Sequence, residues 1–178
     1  MTFAQNITEL RIQDRLVEVN NLIPYANFIG AISEWKDGNL ITRLPFRESH
    51  IGNFTARIFH GGLIGALMEQ AAFVHLLHHI KRNELPKIVN ISTNYLRPVA
   101  PKEVIAGGLI VRQGARIANV RVRAWQSVRH NPAATADVHF LLPKKATNNF
   151  LSSYFRNPTE NLCLKKPKIY RALTARKF

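Results

Sequence analysis

The chain has 178 residues, 46% of them hydrophobic, a formal net charge of +14 and a single cysteine, Cys163. That length and composition suit one domain with a real core, and one cysteine excludes an intramolecular disulfide and a cysteine-based zinc site and fits a reducing, cytoplasmic setting. The opening residues Met1-Thr2-Phe3-Ala4-Gln5-Asn6 contain neither a basic nor an apolar leader pattern, so no signal peptide is expected.

Residues 6–22 place Ile7, Leu10, Leu16, Val19 and Leu22 among polar residues, which predicts an amphipathic helix ended by Pro24. Phe28 to Trp35 and Leu40 to Phe46 read as two strands joined at Lys36-Asp37-Gly38-Asn39, because Asp-Gly suits the positive φ angles of a tight hairpin turn. Residues 47–59 show no clean period and read as a loop. An apolar run from about 60 to 82 then predicts a long central helix. Between Gly61 and Leu77 its one fully charged residue is Glu69, and Lys81-Arg82 near its end suit the helix dipole. Its glycines, its Glu and Gln and its short length argue for a buried core helix rather than a membrane span.

Pro86 marks the exit. Ile88 to Leu96 alternates, with Val89, Ile91, Thr93 and Tyr95 on one face and Asn90, Ser92 and Asn94 on the other. Val104 to Val111 and Ile117 to Val128 are rich in β-branched residues, and His130-Asn131-Pro132 turns the chain into Ala133 to Leu142. The order predicts an α+β domain over residues 1–143, with an antiparallel meander of about four strands around the central helix. Residues 144–178 read as a basic C-terminal extension. It carries nine basic residues against Glu160, a net charge of +8 that leaves +6 to the rest, with Phe150, Tyr154, Phe155, Tyr170 and Phe178 among them. Such a segment attracts polyanions and phosphates without specifying nucleic acid.

Three features carry a family resemblance: His60-Gly61-Gly62 opening the central helix, Glu69 nine positions after the His, and Asn90-Ile91-Ser92-Thr93-Asn94-Tyr95-Leu96-Arg97-Pro98. Together and in this order they resemble the hotdog-fold acyl-CoA thioesterases of the phenylacetyl-CoA/4-hydroxybenzoyl-CoA thioesterase type, over roughly residues 22–142. The resemblance implies a hotdog fold, hydrolysis of an acyl-CoA without metal or cofactor, and a homodimer or dimer of dimers with sites between subunits. It implies Glu69, Gly61, Gly62 and His60 as the catalytic set. Asn53, Phe54, Ser92, Asn94 and Arg97 then lie beside the substrate, with Arg97 toward a phosphate of CoA. The family's amide residue, about six positions before the His, falls here on Phe54, with Asn53 one residue upstream.

The chemistry agrees with the implication. Backbone N–H groups at a helix N-terminus are ready donors for a developing oxyanion, and glycines at 61 and 62 let a carbonyl approach closely. A carboxylate at 69 can activate water or attack the thioester directly. His60 and Glu69, however, are nine residues apart, about 13.5 Å along a helix and roughly 180° around it. They cannot meet one substrate atom from the same chain, so a shared site demands at least a two-fold dimer.

Other readings stand beside this one. Glu69 can be a structural acid paired across an interface, and Gly61, Gly62 and Gly65 can be close-packing residues. Phe54 at the amide position motivates a non-catalytic acyl-CoA or lipid-binding module. His75, His78 and His79 have metal-binding spacing, but no acidic or Cys partner is near them, and a role at the helix C-terminus suits them better. The chain has no Gly-x-Ser-x-Gly elbow and no P-loop, which disfavours Ser–His–Asp and nucleotide chemistry.

Overall fold

The computed structural model describes residues 3–13, 15, 18–80 and 85–142; the basic extension at 144–178 and the Lys81-Arg82 helix end lie outside them. The described elements are α1 (Phe3–Ile12), α2 (Val19–Leu22), α3 (Pro24–Ile29), β1 (Ile32–Lys36), β2 (Asn39–Leu44), β3 (Ile51–Asn53), β4 (Ile58–Phe59), α4 (Gly61–His79), β5 (Lys87–Tyr95), β6 (Val104–Gln113), β7 (Ile117–Trp125) and β8 (Ala134–Leu141). Six strands form one antiparallel sheet in the order β1-β2-β6-β7-β8-β5, and β3 and β4 form a separate pair. With α4 packed on the six-stranded sheet, this is the hotdog arrangement.

The packing follows from residue size and alternation. On β8, Ala134, Ala136, Val138 and Phe140 are buried, and on β7 Ala118, Val120, Val122 and Ala124 are buried, each set on one face of its strand. Alanines on the sheet leave room for Leu67, Met68, Ala71, Ala72 and Leu76 of α4. The helix also comes close to Gly108 of β6, where an added Cβ would stand 3.1 Å from Cβ of His75. A helix apolar nearly all round needs such enclosure.

Several elements depart from the sequence expectations. The single helix expected at 6–22 is divided into α1 and α2, because Val19 and Asn20 are pulled into the core and Asn20 Nδ2 donates to the carbonyl of Ala31 at 3.1 Å. The helical stretch does stop ahead of Pro24, α2 ending at Leu22, and Pro24 then opens α3 at the first helical position, where its missing N–H is harmless. Phe28 therefore lies in α3, which Gly30 closes with φ of 76°. The unpatterned 47–59 segment holds a 3-10 turn at Glu48–His50 and the β3–β4 pair.

The Asp37-Gly38 turn is as expected, with positive φ at both residues. The four-strand meander is not. β6, β7 and β8 run consecutively, but β5 pairs with β8 at the far edge, and β6 pairs instead with β2. A register shift between Ile88 and Asn90 also interrupts the alternation along β5, so that Ile88 and Ile91 pack on the core while Val89 is exposed.

Candidate active site

The start of α4 is built by its neighbours. His60 N–H donates to the carbonyl of His50 at 2.9 Å and Phe59 N–H to Val99 at 3.0 Å, which hold the approach to the helix extended. Gly52 packs so closely there that an added Cβ would lie 2.5 Å from Cα of His60. His60 (φ −66°, ψ 124°) is the N-cap, its carbonyl accepting from Leu63 N–H at 3.0 Å. Its ring Nδ1 accepts from Gly62 N–H at 3.1 Å. The Gly62 donor is thus engaged within the turn in the single chain. Gly61 N–H, at the first helical position, has no acceptor within the helix, and no cap takes it among the described residues.

Tyr95 completes this turn; sequence reasoning placed it in the Asn90–Pro98 motif but not among the site residues. Its hydroxyl donates to the carbonyl of Gly61 at 2.9 Å. Its ring lies over the helix face shared by Gly61 and Gly65, where an added Cβ would stand 3.5 Å and 3.4 Å from ring and hydroxyl atoms respectively. The available signal was the pair of glycines four apart on one helix face, opposite a strand whose alternation puts Tyr95 with Ile91.

Glu69 is exposed in the single chain rather than enclosed in oily packing, and among the described residues no cation pairs with it. The sheet ends at β5, whose Ile88 lies at the groove beside Glu69. The carboxylate borders an open groove of about 380 Å³ lined by Ile23, Gln70, Phe73, Pro86 and Ile88. Gln70, the next residue, is buried and donates to Oδ1 of Asn20 at 2.6 Å, tying α2 to the helix beside the groove.

The remaining sequence candidates lie elsewhere. Asn53 Oδ1 accepts from Ala56 N–H at 2.9 Å and closes the β3–β4 turn, while Phe54 stands at its tip with 77% of its surface exposed. Ser92 and Asn94 pair with Asp137 and Thr135 of β8, on the sheet face turned away from the buried Ala134, Ala136 and Val138. Arg97 donates to the carbonyls of Pro132 (3.3 Å) and Asn131, which anchors its guanidinium to the turn before β8. The structure therefore brings His60, Gly61, Gly62 and Tyr95 together and sets Glu69 apart at the groove.

At the other end of α4, His75 and His79 rings lie 4.7 Å apart and His78 stands edge-on to Trp35 at 5.0 Å. Burial, then the neighbouring His79, His78 and Arg129 charges, push His75 down to about 4. Among the described residues no group of three or more His, Cys, Asp or Glu side chains is placed to hold a metal ion, and no helix is long and apolar enough to cross a membrane.

Comparison with known proteins adds a family. A family model described as the thioesterase superfamily matches residues 57–133, from β4 to the turn before β8. A solved protein from Chromobacterium violaceum is 38% identical, covering 78% of this chain and 97% of that one, with a TM-score of 0.64. Two others share the fold. A Shewanella oneidensis protein related to the thioesterase superfamily is 18% identical, covering 75% of this chain and 98% of that one, with a TM-score of 0.65. A Haemophilus influenzae thioesterase is 17% identical, covering 75% and 94% respectively, with a TM-score of 0.64. No curated protein matches the chain.

Proposed function

Since this chain belongs to the thioesterase superfamily, we propose that it hydrolyses an acyl-CoA thioester at a site shared between two subunits, in the manner of the phenylacetyl-CoA/4-hydroxybenzoyl-CoA type. The observation that supports this reading most is the presence, on one helix, of a Gly61 N–H with no acceptor among the described residues, at the positive end of α4, and an exposed Glu69 eight residues further on. The first binds the developing oxyanion and the second activates water or attacks the carbonyl carbon. Helix geometry keeps them from meeting within one chain. Gly61 of one protomer therefore faces Glu69 of its partner, and the free edge of β5 offers the surface for a two-fold pairing.

His60 shapes the oxyanion turn through its cap on Gly62. Asn53, Phe54, Ser92, Asn94 and Arg97 are proposed as substrate contacts, reached from the partner side or along the CoA portion. The test is thiol release from short, aromatic and long acyl-CoAs by the native protein and by Glu69→Ala. Release by the native protein that Glu69→Ala abolishes supports the reading; an active Glu69→Ala protein overturns it.

One observation favours a second reading, acyl-CoA or lipid binding without turnover. Asn53, the amide nearest the family position, spends its side-chain oxygen inside its own turn. Tight acyl-CoA binding with no thiol release would select that reading.

A further inference from the structure

We infer that Tyr95 is a positioning residue of the oxyanion turn, holding the Gly61–Gly62 peptide in the one orientation that aims Gly61 N–H at the thioester oxygen; this rests on the reading above. Two consecutive glycines give a helix start the greatest backbone freedom available. Stabilising an oxyanion requires the opposite, a donor fixed before the charge develops. The donor's own peptide unit is held at its oxygen, where the His60 carbonyl accepts from Leu63 N–H at 3.0 Å. The structure fixes the adjoining Gly61–Gly62 unit with two further bonds. Its oxygen accepts from the Tyr95 hydroxyl at 2.9 Å, and its N–H donates to Nδ1 of His60 at 3.1 Å. One tether comes from the adjoining residue. The other comes from the end of β5, 34 positions away.

The ring adds a steric element. It stands over the Gly61–Gly65 face of α4 with room for a Cβ between, an added Cβ lying 3.5 Å and 3.4 Å from ring and hydroxyl atoms, and so limits how far the turn can tilt toward β5. Because Tyr95 is itself 55% exposed and sits on the sheet's free edge, its position depends on what pairs with β5. Assembly along that edge would stiffen Tyr95 and, through it, the donor. Tyr95 acts through Gly61 and transfers no proton.

Tyr95→Phe isolates the hydroxyl while keeping the ring over the glycines. With an acyl-CoA that the native protein hydrolyses, kcat should fall about 3- to 10-fold, the equivalent of one lost hydrogen bond, with KM within about twofold. Amide exchange at Gly62, whose N–H is bonded to His60, should quicken when read by NMR relative to the rest of α4. A general loss of stability with kcat unchanged would overturn the proposal, and so would unaltered exchange at Gly62. If the native protein hydrolyses no acyl-CoA, the functional reading fails, while the exchange measurement still decides whether Tyr95 holds the turn.

Discussion

Gln70 of α4 donates to Oδ1 of Asn20 of α2 at 2.6 Å across fifty positions of sequence, and both side chains are buried. Asn20 also donates to the Ala31 carbonyl at 3.1 Å and accepts from the Ser33 hydroxyl at 3.3 Å, which in turn meets Thr42 at 2.9 Å. This polar cluster fastens the N-terminal helices to the central helix and to the β1–β2 hairpin. It also sets Ile23, three residues on, as one wall of the groove at Glu69.

Removing the shared member leaves buried donors unsatisfied. Asn20→Ala is expected to lower stability by about 1–3 kcal/mol, seen as a lower urea midpoint with an unchanged slope. An unchanged midpoint would mean that the cluster contributes nothing beyond packing.

Loss of the acid should be felt in turnover rather than in folding. Glu69 is exposed and unpaired among the described residues, so Glu69→Gln should leave thermal stability within about 0.5 kcal/mol. A general base contributes typically 10²–10⁴-fold, and thiol release should fall by about that much. A large drop in stability together with activity would point to a structural acid instead.

The histidines of α4 and its approach should make the fold acid-sensitive. His75 is held at about 4 against an ordinary 6.5, and burial, with the nearby Arg47 charge, lowers His50 in the same direction. Between those two values the unfolded chain takes up a proton that folded His75 refuses, so stability falls as pH drops from 6.5 toward 4 and levels off below. After discounting for solvent screening, the contribution of His75 is on the order of 1–2 kcal/mol. His75→Leu, which also removes a buried Nδ1 that has no partner, should flatten that part of the profile. Denaturant midpoints collected across this pH range would decide it, and an unchanged slope in the variant would refute the assignment.

The shared site predicts that assembly and activity fall together. Val89 lies exposed on the edge strand β5. Val89→Lys would place a charge in any interface formed there, a change worth about 3–5 kcal/mol when the charge is buried without a partner. Light scattering should show a shift from dimer or tetramer toward monomer, with thiol release lost in parallel. A fully active monomer would exclude a site shared between chains.

The sequence by itself determined what depends on local chemistry. Asp37-Gly38 announced its turn because few residues accept positive φ, and the long apolar run announced α4. His60-Gly61-Gly62 and Glu69 were legible for the same reason, since a helix start and a lone acid are properties of short stretches. Tertiary structure alone decided the neighbours. Periodicity cannot say that β5 pairs with β8 at the edge instead of with β6. Nor can it say that Asn20 is drawn into the core and divides the first helix, that His60 takes the Gly62 donor, or that Tyr95 reaches the Gly61 carbonyl. Each of these joins groups through space, where the partner is chosen by sheet order and side-chain reach rather than by the residues on either side.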